Sequence, residues 1–286
     1  MASEYREIKN TQYIEISDDE FKLITKHVYT QIGISLNDTK KALVTGRLQK
    51  VLRQNKFSTF SEYYEHLISD KTGRELSLLA DTISTNYTFF WREKDHFELF
   101  AKSALPEIIE RRKQAGSKEL RIWCAGSSTG EEPYTLIMLM KEVLGIDYRN
   151  WDAGILATDI SDRALKIAKQ GIYPAGRLDT LPPKLKSKYF RKISDEEYEV
   201  TDDVKKEVTY RRFNLMNKVF PFKKPFDIIF CRNVMIYFDA DTRADLCNRF
   251  HGVQYPNAYL FIGHSETIDR TRVPYRFIQP AVYTRI

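Results

Sequence analysis

Glu119-Leu-Arg-Ile-Trp-Cys-Ala-Gly-Ser-Ser-Thr-Gly130, continuing as Glu131-Glu132-Pro133-Tyr134, reads as a strand, a small-residue turn and the start of a helix. Leu120 to Cys124 is a short apolar run of the buried-strand kind, and Gly126 and Gly130 bracket the turn. Ser127, Ser128 and Thr129 are N-cap residue types, and Glu131 and Glu132 suit a first helical turn, whose free N–H groups favour negative charge. Pro133 fits there too, because a first-turn N–H has no partner within the helix. Leu136, Ile137, Leu139, Met140, Val143 and Leu144 then predict a helix as far as Gly145. Strand, glycine turn and helix is how an open α/β sheet lets backbone, here at Gly126, approach a nucleotide-like ligand.

The turn is a poor dinucleotide fingerprint. It lacks the tight G-x-G, and two acids follow where a pyrophosphate needs positive potential. The next strand, Ala153 to Thr158, ends in Asp159, placed to accept from both hydroxyls of a ribose. A ligand with a ribose, no phosphate and a positive charge meets these conditions. S-adenosyl-L-methionine fits, since its ammonium suits carboxylates and its sulfonium is cationic.

The 286 residues are enough for one large core or two unequal ones, and 42% hydrophobic with 29% charged residues excludes a disordered or fibrous chain. No run approaches the ~18 apolar residues of a membrane span, so no membrane insertion is expected. Three cysteines without C-x-x-C spacing point to a reduced, cytoplasmic protein. Cys124 and Cys231 end strands expected to be neighbours, so their thiols should lie close. Five histidines form no ligand-spaced pair, and no metal is expected. A net charge of +6 favours acidic partners without singling out nucleic acid.

Four short helices are expected before the sheet: Ser17 to about Ile32, Thr39 to about Gln54, Phe57 to Ser69, and Glu75 to about Ile83. Lys40, Arg47, Lys50 and Arg53 cluster on one side of the second, a face suited to an acidic protein and lacking aromatics that could stack on bases. A small helical domain thus spans 12–83. Residues 84–100 form a linker in which Arg92 stands among Tyr87, Phe89, Phe90 and Trp91. The aromatics are expected to pack, and the guanidinium to bind an anion or stack. A helix from His96 to about Arg112 follows. Residues 101–286 hold the sheet, with a small β excursion at about 190–212. Phe226 to Cys231 and Ala258 to Ile262 are further buried strands, and two strands within 276–285 close the sheet as an antiparallel edge pair.

Methyl transfer from a sulfonium needs the acceptor held about 3 Å from the methyl carbon, in line with the leaving sulfur, with water excluded. A carboxylate acceptor is already ionised at neutral pH and needs no general base. An amino acceptor on a base would call for an Asn-Pro-Pro-Tyr loop after the fourth strand. The chain has Cys231-Arg-Asn-Val-Met-Ile-Tyr-Phe238 there instead. An arginine in the pocket suits an acidic acceptor.

Thr85-Asn-Tyr-Thr-Phe-Phe, Ser128-Thr-Gly-Glu-Glu-Pro-Tyr134, Phe230 to Phe238 and Gly263-His-Ser-Glu266 together resemble the CheR family of chemotaxis-receptor glutamate O-methyltransferases, in the same order over about residues 15 to 286. The resemblance implies an α/β class I S-adenosylmethionine-dependent methyltransferase. Its Rossmann-like doubly wound sheet would carry an N-terminal all-helical domain and an inserted β-subdomain. It places Asn86, Thr88 and Arg92 at the cofactor and acceptor end, Glu132 at the methionyl ammonium and Asp159 at the ribose. Asn214 and Leu215 would flank the adenine, with Arg232 and Asn233 nearby, and Tyr237 would border the acceptor carboxylate with Arg92. The Lys40, Arg47, Lys50 and Arg53 face would meet the acidic methylation helices of methyl-accepting chemotaxis receptors.

Two departures from the family pattern stand out. Trp91 intervenes between the two phenylalanines and Arg92, although Arg92 keeps its interval from Asn86. The segment Arg191 to Val200 has no glycine and carries Asp195, Glu196, Glu197 and Glu199. Docking of a receptor's C-terminal pentapeptide is therefore not expected. The alternative readings are a non-catalytic adaptor that senses S-adenosylmethionine and a nucleic-acid methyltransferase.

Overall fold

The computed structural model describes residues 13–84 and 87–286; the expected contact of Asn86 lies outside them. Helix α1 (Asp18–Ile32) begins with a capping box in which Ser17 and Glu20 satisfy each other's backbone N–H, and it ends at Gly33 in the left-handed conformation. Helices α2 (Lys41–Asn55), α3 (Phe60–Ser69) and α4 (Arg74–Ile83) follow. The third starts three residues later than expected because Thr59, not a residue before Phe57, caps it by accepting from the Glu62 N–H.

The helix expected from His96 is α5 (Lys94–Leu99) and α6 (Leu105–Gln114), joined by a π-helical turn at Phe100–Ala104. Pro106 explains the widened turn, since it has no N–H to donate four residues back. Strand β1 (Glu119–Ala125) leads into helix α7 (Glu131–Leu144). The N-cap of α7 is Gly130 at φ +96°, not one of the three hydroxyl residues before it. A Cβ there would lie 2.7 Å from the Tyr210 hydroxyl and 2.9 Å from that of Tyr173, so glycine is required by space as well as by φ.

Strand β2 (Asp152–Asp159) and helix α8 (Asp162–Gln170), capped by Ser161, repeat the unit. The β excursion differs from expectation. Its sheet consists of β3 (Ile172–Pro174), β4 (Phe190–Lys192) and β5 (Glu197–Val200), in the order β3-β5-β4, with helix α9 (Pro183–Tyr189) between β3 and β4. It therefore starts well before residue 190. After the short helix α10 (Asp202–Lys205), β6 (Val208–Arg212) returns to pair in parallel with β2. Strand β7 (Phe226–Cys231), helix α11 (Ala240–Gly252), and strands β8 (Gln254–Ile262), β9 (Tyr275–Gln279) and β10 (Val282–Arg285) complete the chain. The large sheet runs β6-β2-β1-β7-β8-β10-β9, parallel except for the closing antiparallel pair.

β1 sits at the centre between β2 and β7, so its carboxyl end, with those of its neighbours, forms the crevice in which such sheets bind ligands. One face of the sheet carries α6, α7 and the small sheet. The other carries α11 and the N-terminal helices, whose buried residues (Phe21, Val44, Leu48, Leu79) belong to one apolar cluster with Trp123, Ile229 and Leu260. The helical domain is thus part of the wall of the crevice. Trp123 anchors that face within rings of Phe220, Phe222, Phe226 and Phe250, and its Nε1 donates to Thr158 Oγ1 at 2.9 Å. Asp227, buried in β7, accepts from the Arg121 N–H and pairs with Arg112 of α6 at 2.6 Å, which satisfies its charge.

β1 and β7 are neighbours as expected, but Cys124 pairs in register with Phe230 rather than with Cys231. Side chains alternate along a strand, so Cys124 lies in the cluster with Phe230 on one face and Cys231 in the cluster with Leu260 on the other. The expected closeness of the thiols is therefore wrong; the sheet separates them.

Candidate active site

The carboxyl ends of β1, β2 and β7 open onto a cavity of about 390 Å³, within the range of small-ligand sites. Thr88, Arg92, Gly126, Glu132, Asp159, Asn214, Leu215, Arg232, Asn233 and Tyr237 all line it. Ile32, Ile34 and Ala80 of the helical domain line it too, which no motif of the sequence signals.

Asp159 accepts from the Ser128 N–H at 2.8 Å with one oxygen and from the Ser161 N–H at 2.9 Å with the other. The turn after β1 and the cap of α8 thus fix its carboxylate, and each oxygen keeps a lone pair for a ligand. Burial pushes its pKa up, opposed by these two backbone donors. The Ser127 and Ser128 hydroxyl oxygens are buried at the same cavity without a hydrogen-bond partner. Buried polar atoms are seldom left so, and a polar ligand would satisfy them. Gly126 lies against Val234, whose Cγ2 would be 2.4 Å from an added Cβ, so the turn after β1 packs on the loop after β7.

Below the cavity lies an ionic knot. Arg232, with a side chain only 3% exposed, reaches Glu132 at 3.0 Å and Glu93 at 3.1 Å, and also donates to the Arg92 carbonyl. Burial raises the Glu132 carboxyl, and Arg232 opposes that. Burial acts the same way on Glu93, but Arg232 and Asn233 outweigh it and hold this carboxyl below its ordinary range. Glu93 Oε1 also accepts from Asn233 Nδ2 at 3.0 Å. His96, fully buried beside this knot, is pushed down to about 3 by burial and by the Arg232 charge. Glu93, His96 and His264 bring ligand-type atoms within 4.8 Å of one another, a grouping that sequence spacing did not suggest. The Arg232 guanidinium on the shared Glu93 oxygen opposes a cation there.

Arg92 is half-buried, lines the cavity, and its Nη1 donates to the Tyr87 carbonyl at 2.8 Å. Trp91 does not push it out. Trp91 takes φ +67° and stacks on Phe97 at 5.3 Å, while Phe90 packs edge-on against Tyr173 and Phe190. These two rings pack, as expected of an aromatic run, and the guanidinium faces the cavity.

The basic face of α2 is divided. Lys50 and Arg53 are exposed, whereas Arg47 is half-buried and donates to the Ile83 carbonyl at 2.5 Å. Lys40, on the 3₁₀ turn before α2, is half-buried and its Nζ lies 3.4 Å from the Ser35 carbonyl. In the small sheet Glu199 pairs with Lys205 at 2.9 Å and with Arg191, and Asp195 pairs with Lys192 at 2.7 Å. Two of the four carboxylates of that segment, Asp195 and Glu199, are therefore paired with cations of the same small sheet and its flank.

A parallel sheet with an acid at the tip of its second strand and orphaned hydroxyls in the first turn is the arrangement of a class I S-adenosylmethionine-dependent methyltransferase. Two family models match the chain, the CheR methyltransferase all-alpha domain over residues 19–84 and the CheR methyltransferase SAM binding domain over 86–283. A chemotaxis protein methyltransferase of Borreliella burgdorferi is 43% identical over 272 residues, covering 95% of this chain and 96% of that protein. One of Salmonella typhimurium is 35% identical over 265 residues, covering 92% and 88%. The chain belongs to the CheR methyltransferase family, and its methyl donor is S-adenosyl-L-methionine. Among the described residues no helix is long and apolar enough to cross a membrane.

Asp159→Ala should weaken S-adenosylhomocysteine binding by about 1.5–3 kcal/mol, the usual worth of hydrogen bonds to a charged group. Calorimetry on the folded variant checks this; unchanged affinity would remove Asp159 from the ribose.

Proposed function

We propose that this enzyme transfers the methyl group of S-adenosylmethionine to glutamate side-chain carboxylates of chemotaxis receptors. The observation that carries the reading is that one cavity is lined both by the carboxylates of Glu132 and Asp159 and by Arg92 and Tyr237. When bound, S-adenosylmethionine supplies the methyl electrophile. Glu132 would receive its ammonium and Asp159 its ribose, with Asn214 and Leu215 beside the adenine. Arg92 would hold the acceptor carboxylate by charge-assisted hydrogen bonds, and Tyr237 would border it. Thr88, Arg232 and Asn233 complete the binding wall. The acceptor oxygen forms its bond to the methyl carbon as the C–S bond breaks and the electron pair leaves with sulfur. The acceptor is already an anion, so the displacement runs in line without a general base.

The expected acceptor is the acidic cytoplasmic helical bundle of a receptor, met by the basic side of α2. The docking charge would come mainly from Lys50 and Arg53, with Lys40 and Arg47 nearer the protein body. Charge reversal at Lys50 and Arg53 together should raise the KM for receptor several-fold and leave cofactor affinity unchanged. Added salt should weaken wild-type binding, because exposed charges are screened beyond ~8 Å at physiological ionic strength. Salt-independent receptor binding would reduce the face to a solvated surface. Residues 191–200, without glycine, do not favour a pentapeptide tether, so α2 would supply most receptor affinity.

The test uses tritiated-methyl S-adenosylmethionine and a receptor cytoplasmic fragment. Protein-bound label released by mild base as methanol is the expected product. Base-stable label would mean a nitrogen acceptor, and cofactor binding without any label would make the protein the non-catalytic adaptor.

A further inference from the structure

The Gly263-His-Ser-Glu266 motif has no place in the cavity, yet Glu266 is among the most deeply buried acids of the chain, at 2% exposure. Its carboxylate turns toward the loop after β7. Oε2 accepts from the Asn233 N–H at 3.0 Å and from the Gly263 N–H, while Oε1 accepts from the Ile236 N–H at 3.0 Å. A buried carboxylate spent on backbone donors alone is costly to desolvate unless those donors are all in place. Two of the three here, Asn233 and Ile236, are N–H groups of a loop that has little regular structure of its own, a bend and a three-residue 3₁₀ turn, Met235–Tyr237.

Asn233 takes φ +59°, the left-handed region that asparagine enters more readily than most residues with a side chain. The neighbouring Gly263 is shaped for the same contact, since a Cβ there would fall 2.5 Å from Asn233 Nδ2 and 2.9 Å from Glu266 Oε2. Three consecutive loop residues, Arg232 to Val234, separate the end of β7 from the turn that carries Tyr237, and Asn233, Val234, Ile236 and Tyr237 all line the cavity. From the opposite side, the Tyr237 carbonyl accepts from the Ser35 N–H at 2.8 Å.

We infer that Glu266 is a positioning residue for methyl transfer, its carboxylate stapling the backbone of residues 233–236 so that Tyr237 and Asn233 face the reacting groups. It touches neither cofactor nor acceptor and acts through the loop. The role rests on the placement of Tyr237 at the acceptor end.

Glu266→Gln tests it, because the amide keeps the size but replaces one accepting oxygen with a donor that faces N–H groups. Expected is a kcat at least 30-fold lower at saturating substrates, with S-adenosylhomocysteine affinity and receptor KM each within about threefold of wild type. Glu266→Asp, which keeps both acceptor oxygens on a shorter arm, should recover at least tenfold over the glutamine variant. A folded glutamine variant with kcat within threefold of wild type would overturn the inference, as would loss shared equally by kcat and cofactor affinity. Should the glutamine variant not fold, Gly263→Ala presses on the same contact and must show the same kcat-selective loss; normal kcat in it would overturn the inference. Tyr237→Phe, measured in parallel, separates the two readings. A kcat loss in both variants supports the staple acting through Tyr237; a loss in Glu266→Gln without one in Tyr237→Phe removes the tyrosine hydroxyl from the reaction and overturns the inference, because the staple would then be holding some other group.

Discussion

Arg232→Met is expected to destabilise the protein by about 3–5 kcal/mol, the usual cost of removing one partner from a buried ion pair. Arg232 serves Glu132, Glu93 and the Arg92 carbonyl at once, and its side chain is 3% exposed. Methionine fills much of the space but leaves two partly buried carboxylates, 13% and 15% exposed, without their cation. Those acids would then have folded pKa values above the unfolded one, so they would favour folding only when protonated. The deficit against wild type should therefore be largest at neutral pH and shrink as pH falls from the raised folded values toward the unfolded glutamate value of about 4.3. Urea unfolding at several pH values measures it, and adding Glu93→Gln should recover part of the loss. A deficit below 1 kcal/mol at pH 7 would show that the knot carries little net stability.

The second large effect is catalytic. Arg92→Ala should lower kcat by roughly 10²–10³-fold, the range for removing one preorganised charged donor from a site where charge is redistributed. Arg92→Lys should recover little, because an ammonium cannot reproduce the planar, two-pronged grip on a carboxylate. The Arg92 carbonyl, which Arg232 uses, is unchanged in either variant, so folding should survive. Initial rates with receptor, paired with cofactor calorimetry, check the outcome. A kcat within threefold of wild type would remove Arg92 from the acceptor site.

Much of the architecture was legible because the signals were local. The capping box at Ser17 and Glu20, the apolar run from Phe226 to Cys231 and the acid after Thr158 each follow from short-range rules. The site was legible where a residue sits at a strand end, as Asp159 and Arg232 do. What escaped depends on contacts between distant segments. β3 is only three residues long, and its pairing with β5 crosses more than twenty residues of chain. The opposite facing of Cys124 and Cys231 depends on register, which strand order alone does not fix. Arg47 looked like part of the partner-facing basic face, because its bond to the Ile83 carbonyl spans two helices and leaves no trace in the spacing. Glu93 gave no signal as an isolated acid, and Glu266 stood in a quoted motif without a role; their meaning comes from Arg232 and from the backbone of residues 233–236.

The account stands on one cavity having a cofactor end and an acceptor end. A crystal structure with S-adenosylhomocysteine bound tests this most directly. It should show the ribose hydroxyls on Asp159, the ammonium beside Glu132, and the sulfur facing the side of the cavity lined by Arg92 and Tyr237. A ligand whose sulfur points away from Arg92 and Tyr237, or whose ribose leaves Asp159 untouched, would contradict it.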